Sequence, residues 1–310
     1  MTALISGSMA YDTIMVFNDK FGNHILPDKT HMLNVSFLVP DMRREFGGCA
    51  GNIAFNLNLL GGEGAPIASV GKDFGAYDVW MRNSHVSTKY IQVLDDEFTA
   101  QAYITTDLDD NQITAFHPGA MNHAHTQPIP TDAGITLGIV APNGRDAMIA
   151  HAQQFHDAGI PFIFDPGQGL PLFNGDDLKQ FISLATWVIV NDYESSLIAD
   201  KTGLSIDDIS GQVNSYIITK GGEGSDIYTK DGVINIPAVK PEAIVDPTGC
   251  GDAYRAGVIY GLQNKLDWAT TGRIASLLGA MKIACPGTQN HRTNLASFKA
   301  LYQKEFGTTF

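Results

Sequence analysis

The sequence predicts an α/β fold: a mostly parallel central sheet flanked by helices, with a second, smaller β-sheet. Three observations carry this. Short apolar, β-branched runs alternate with segments whose apolar residues fall three or four apart, the pattern of right-handed crossovers. Residues 13–45 and 98–119 break that rhythm with alternating and β-branched runs of their own. The last third of the chain is mostly helical in pattern.

Taken in order, strands are expected at residues 2–8, 65–70, 135–141, 161–165, 187–191 and 216–220. Helices are expected at 52–60, 145–158, 178–185 and 193–201, then at 252–263, 268–284 and 295–306. In the two interrupting stretches, strand-like runs occur at 13–16, 33–37 and 100–106, and the Asp- and Asn-rich residues 107–111 read as a hairpin turn. Strands inserted between the elements of a parallel sheet are most simply a separate small sheet. The expected organisation is one α/β domain over 1–310 with inserted segments at 13–45 and 98–119.

With 310 residues and 44% hydrophobic content, the chain can bury a substantial core. A net charge of -13 argues against nucleic acid or an anionic membrane as partner, since both need clustered Lys and Arg. Cys49, Cys250 and Cys285 form no Cys-x-x-Cys pair and suggest neither a disulfide scaffold nor a zinc site. No leader is expected and no apolar run approaches ~20 residues, so the expectation is a cytoplasmic protein, monomer or homodimer.

The most informative stretch is Asp-Pro-Thr-Gly-Cys-Gly-Asp at 246–252, where an apolar helical pattern begins. Gly249, Cys250 and Gly251 carry little side-chain bulk, so their amides can approach a phosphate at a helix N-terminus. Asp252 follows at once. A carboxylate beside bound phosphate is repelled unless it has work, and accepting a proton from an attacking hydroxyl is such work. The bland alternative is an acidic residue stabilised by the helix dipole.

This stretch resembles the second signature of the PfkB or ribokinase family of ATP-dependent small-molecule kinases, with Pro247 and Cys250 as departures. The stretch from Phe46 to Ala54, with Gly47, Gly48 and Asn52, is similar to the family's first signature. The resemblance runs from the first strand to about Asn290 and is greatest to bacterial nucleoside kinases of the adenosine or inosine type. It implies a ribokinase-like three-layer sandwich whose small β-sheet is a lid over the substrate.

It also implies roles. Asp12 would accept hydrogen bonds from a vicinal diol, with Gly47, Gly48 and Asn52 around the same ring. Asn191 and Glu194 match an Asn-x-x-Glu pattern expected to hold Mg-ATP through water, although alone the pattern is an ordinary helix cap. Thr219, Gly221 and Gly224 resemble the nucleotide loop, with a hairpin turn as the plain alternative. Asp246, Thr248 and the loop at 284–290 resemble the place where relatives bind a monovalent cation such as K+, largely through carbonyl oxygens. Phe116 and Gln168 are candidates to meet the substrate, and Asp165 to orient the phosphate region.

The expected reaction is transfer of the γ-phosphoryl group of ATP to the 5′-hydroxyl of a nucleoside. Cys49 stands where ribokinase has lysine after the paired glycines, which weakens a plain ribose reading. A sugar kinase acting on ribose, fructose or a sugar phosphate stays open as an alternative, as does a non-catalytic nucleotide- or sugar-sensing relative.

Overall fold

The computed structural model describes residues 2–25, 32, 34–109, 111–131 and 134–310. The strands are β1 (Thr2–Ser6), β2 (Ala10–Val16), β3 (Asp41–Gly47), β4 (Glu63–Gly71), β5 (Tyr90–Leu94), β6 (Ala100–Thr106), β7 (Gln112–His117), β8 (Ile135–Val140), β9 (Phe162–Phe164), β10 (Trp187–Asn191), β11 (Ser215–Thr219), β12 (Ser225–Thr229) and β13 (Gly232–Ile236). The helices are α1 (Cys49–Leu59), α2 (Gly75–Asn83), α3 (Arg145–Asp157), α4 (Gly175–Leu184), α5 (Asp192–Thr202), α6 (Ile206–Ser210), α7 (Cys250–Gln263), α8 (Trp268–Ile283) and α9 (Leu295–Phe306).

The large sheet runs β13-β12-β11-β10-β9-β8-β1-β4-β5. From β11 to β5 every pairing is parallel, and β12 and β13 close one edge antiparallel. Its strands are apolar runs because both faces are covered. Successive side chains point to opposite faces, so Ile5, Ile139, Ile163, Ile189 and Ile217 pack with Ile53, Val258, Leu278 and Phe298 of α1, α7, α8 and α9. Their neighbours Leu4, Val140, Phe164, Val190 and Ile218 pack with Met148, Phe181, Ile198 and Ile209 of α3 to α6. Each such fully buried side chain stabilises the fold by about 1.5–3 kcal/mol. The result is the expected three layers.

The small sheet runs β3-β2-β6-β7, with β2 and β6 parallel and the outer strands antiparallel. Its register pairs Asp12 with Glu45 and Ala102, and Ala102 with Phe116, so these four share one face. Each strand expected in the large sheet is present within two residues of its bounds, and the expected helices likewise, except that α1 and α4 begin three residues earlier than foreseen. The sequence reading did not foresee α2, β5, α6 or the β12–β13 hairpin.

One strand-like run is corrected. Of residues 33–37, Leu33 lies outside the described residues and 34–37 are irregular; the lid strand is 41–47 instead. Phe37 packs its ring 4.8 Å from Phe17 and 5.0 Å from Phe21, so the run's aromatic fills a cluster at the lid base. In the expected turn at 107–111, where Asp110 lies outside the described residues, Asp107 Oδ1 accepts from the amides of Asp109 and Asn111, as an Asp-based turn does.

Helix α7 carries the most informative stretch of the sequence, and a bare backbone seats it against α8. A Cβ on Gly257 would stand 2.5 Å from Ala275 Cα and 2.8 Å from its nitrogen. Gly257→Ala gains about 1 kcal/mol of helix propensity but forces two helices apart at a cost of about 1–3 kcal/mol. The expected result in a thermal melt is therefore a lower Tm; an unchanged or higher one contradicts this packing.

Candidate active site

The site begins where α7 begins. Gly249, its N-cap, has φ +80°, and a Cβ there would press on Thr288 at 3.1 Å, so glycine is required by conformation and by space. The helical ladder starts with Ala253 N–H donating to Gly249 O at 3.0 Å. The Gly249 and Gly251 amides precede that rung, as an anion cradle needs. The Cys250 amide, expected beside them, instead donates to Pro247 O at 3.2 Å and closes the turn.

Asp252 lies in the first turn, and its Oδ2 accepts from Asn52 Nδ2 at 2.8 Å. Burial pushes the Asp252 carboxyl up to about 6, against the Asn52 hydrogen bond and the Arg255 charge, which pull it down. Arg255, one turn further along α7, meets Asp165 with two nearly parallel bonds of 2.9 and 2.8 Å, and both side chains are buried. Asp165 thus reaches the phosphate region only through Arg255.

Asn52, expected to meet the substrate directly, has its amide committed to the protein. Its Oδ1 accepts from Gln289 Nε2 at 3.0 Å, and Gln289 Oε1 accepts from Trp80 Nε1 at 2.9 Å. An indole N–H can only donate, so it fixes the Gln289 oxygen toward Trp80 and its NH2 toward Asn52. Asn52 must then turn its own NH2 to Asp252. The same Gln289 NH2 meets the Tyr77 hydroxyl, which donates to Gly47 O at 2.8 Å.

That last bond brings the chain of contacts to Asp12. A Cβ on Gly47 would lie 2.5 Å from Asp12 Oδ2, so the glycine opens room for this carboxylate. Burial, then the charges of Asp246 and Glu45, push Asp12 up to about 6. Among the described residues no hydrogen-bond donor meets it, leaving both oxygens free to accept. Gly48, with φ +86°, turns the chain into α1 against the backbone of Ser8 and Ala10, at 2.5–2.6 Å from a built Cβ. Phe116 lies on the Asp12 face of the lid and is half exposed, and Gln168 is exposed after β9.

At the end of β10, Asn191 and Glu194 form a capping box on α5, each side chain accepting from the other's amide at 2.7 and 2.8 Å. Burial raises the Glu194 carboxyl, opposed by Arg255 and the Asn191 amide. Thr219 ends β11 with its hydroxyl on Val190 O at 3.3 Å, and Gly221 and Gly224, both with positive φ, turn β11 into β12. The nucleotide-loop candidate and the hairpin turn are therefore one structure. Asp246 accepts from the amides of Thr248 and Gly287, each at 2.9 Å. Burial works to raise its carboxyl, but these bonds and Lys282 hold it below the usual range.

A family model described as pfkB family carbohydrate kinase matches residues 12–294. The chain belongs to the pfkB family. Its fold is ribokinase-like, and as a family member it is a kinase that phosphorylates a hydroxyl. It is 30% identical to a nucleoside kinase of Methanocaldococcus jannaschii over 87% of this chain and 89% of the relative. The solved nucleoside kinase of Burkholderia thailandensis in complex with inosine is 50% identical, covers 99% of both chains and superposes with a TM-score of 0.90. Its complex with ADP-inosine is 52% identical at a TM-score of 0.88, covering 99% of this chain and 97% of that one.

Sequence reading missed Tyr77, Trp80, Arg255, Lys282 and Gln289. Arg255 was findable, standing one helical turn from Asp252, and Gln289 lies in a loop singled out only for its carbonyls. Trp80 has no signal, since its place is set by α2. In this pfkB member, Gln289→Leu removes the group that orients Asn52. Turnover is expected to fall by about tenfold for a lost hydrogen bond to a charged group. Because the Asn52 bond lowers the Asp252 pKa, losing it should move the acid limb of kcat against pH upward. A reduced rate with an unmoved limb would mean that Gln289 serves stability alone.

Proposed function

We propose that this protein transfers the γ-phosphoryl group of ATP to the 5′-hydroxyl of a nucleoside of the adenosine or inosine type. The observation that carries the reading is the hydrogen-bonded path from Gly47, which lies against Asp12, through Tyr77, Gln289 and Asn52 to Asp252. On this reading Asp12 is the diol-binding carboxylate and Asp252 the base, at the two ends of one frame of contacts. Similarity to nucleoside kinases at 30% and 50% identity supports the substrate class, as does the aromatic wall of Phe116 on the Asp12 face.

Asp12 accepts from the vicinal hydroxyls of the ribose and so aims the primary hydroxyl at Asp252. Asp252 takes that proton as the oxygen bonds to phosphorus and the bond to the β-phosphate oxygen breaks. Gly249 and Gly251 amides stabilise charge on the phosphoryl oxygens, with the α7 dipole behind them. The buried Arg255 and Asp165 pair keeps α7 anchored beneath. Thr219, Gly221 and Gly224 are the proposed contacts to ATP, and Gln168 and Gly48 the proposed contacts to nucleoside.

Magnesium suits Asn191 and Glu194, since Glu194 Oε2 receives the Asn191 amide and Oε1 stays available to a metal-bound water. The metal would supply charge neutralisation on the phosphates. For potassium at Asp246 and Thr248, the residues present do not fit, because the Lys282 ammonium already holds carbonyl oxygens there. No helix among the described residues is long and apolar enough to cross a membrane. We propose a cytoplasmic setting, with Cys49, Cys250 and Cys285 as free thiols, and a monomer or homodimer.

The test is ADP release on mixing the protein with Mg-ATP and, separately, inosine, adenosine, cytidine, ribose and fructose. Inosine and adenosine should stimulate it. Response to free sugars alone would sink the nucleoside reading, and no response to any would sink catalysis. Asp252→Asn should fold and bind ATP while turnover drops by about 10²–10⁴-fold, the usual worth of a positioned base.

Acid should silence the wild type in a defined window. Asp252 must be ionised to take a proton and Asp12 to accept from the diol, and both carboxyls stand at about 6. Log kcat/KM is therefore level above that value and falls below it, approaching a slope of about two if both titrate together in the free enzyme. A profile that stays level down to the ordinary aspartate range of ~4 would contradict both assignments.

A further inference from the structure

The turn before α7 and the loop after α8 converge on one side chain. Lys282, in the last turn of α8, is completely buried, and its Nζ donates to Asp246 O at 2.7 Å and to Cys285 O at 3.3 Å. The Asp246 carboxylate supplies the countercharge, with Oδ1 4.0 Å from Nζ. The same carboxylate receives the Thr248 amide on one oxygen and the Gly287 amide on the other. Val245 and Asp246 both donate their amides to Ile283 O, tying the turn to the end of α8. An ammonium at the C-terminus of α8 also meets the negative end of that helix dipole.

Main-chain carbonyls beside a carboxylate make an ion site only while no cation holds them. Here one does, on a covalent tether. We propose that Lys282 is an internal cation that fixes the turn presenting the Gly249 amide, so that phosphoryl transfer by this chain does not depend on potassium. Burial alone presses the ammonium toward its neutral form, and the charge of Asp246 opposes that. A potassium ion on the same oxygens would lie against a like charge in a buried site, where repulsion is poorly screened. The inference rests on the kinase reading for its activity readout but not for its binding readout.

The experiment compares equal concentrations of potassium, sodium and tetramethylammonium chloride. For the wild type, ADP release with inosine and Mg-ATP should agree within about twofold across the three salts, since a ligand that binds neither state shifts nothing. Its melting temperature should likewise be the same in potassium and tetramethylammonium. Lys282→Met keeps length and removes charge. In tetramethylammonium its turnover should fall by at least about tenfold, and potassium should restore part of it and raise its melting temperature by binding the vacated carbonyls.

A wild type that potassium activates or stabilises overturns the proposal, as does a Lys282→Met variant fully active in tetramethylammonium or one that potassium does not rescue. Should the variant fail to fold, the wild-type salt series decides alone. If no acceptor draws ADP in any salt, the kinase reading fails, while the melting comparison still decides this one.

Discussion

The hydrogen bond from the Asn52 amide to the Asp252 carboxylate ties α1 to α7 at the candidate site. Asp252 sits where burial favours its protonated form, and the proposed role as base needs it ionised; the amide donor and Arg255 limit that rise. The bond cannot be read as local, because its orientation is set elsewhere. Trp80 fixes Gln289, Gln289 fixes Asn52, and only then does an N–H rather than a carbonyl face Asp252. Room for the relay comes from bare backbone. A Cβ on Gly51 would run into the Tyr77 hydroxyl, so the hydroxyl that links Gly47 to Gln289 needs that glycine in the first turn of α1.

The carboxylates near the cleft fall into two groups by partner. Asp165 is buried against Arg255, and Asp246 lies beside Lys282, each pair removing a charge from the balance of the cleft. Asp12, Asp252 and Glu194 have no ion-pair partner among the described residues, and burial raises all three. A buried charge left without a countercharge is costly, and folds retain one where a ligand supplies the missing partner. In the proposed reaction a diol, a hydroxyl proton and a hydrated metal ion would be the partners of Asp12, Asp252 and Glu194. The chain is acidic overall, with a net charge of -13, and the devices it offers an anion are local: the N-terminus of α7 and the glycine amides there.

The frame of the fold was legible for a definite reason. Strands covered on both faces are unbroken apolar runs, and 187–191 or 135–140 cannot be mistaken for surface. Asp252, Gly249 and Asn52 were legible because short local signatures carry them. The relay was not, since the Gln289 contacts join residues more than two hundred positions apart, as between Asn52 and Gln289, and no periodicity encodes such a pairing. The lid strand was misread for a different reason. Residues 34–37 have strand composition, but Phe37 turns into the ring cluster with Phe17 and Phe21, while the charged 41–47 takes the edge position beside β2. An exposed edge strand is selected for charge, so composition misleads there.

Residues 286–290 resolve what holds the two sheets in relation. Thr288 donates its hydroxyl to Phe46 O at 2.6 Å and Asn290 its amide to Glu45 Oε2 at 2.9 Å, both on lid strand β3. Gly287 donates to Asp246 in the turn before α7, and Gln289 between them orients Asn52. One five-residue stretch therefore touches the lid and the turn before α7 and, through Asn52, bears on Asp252. Since β3 ends in the Gly47-Gly48 turn that leaves space for Asp12, any displacement of the lid against the large sheet acts on the same stretch that sets the base. The surroundings of Asp12 and of Asp252 are thus coupled through hydrogen bonds, so a shift at one is felt at the other.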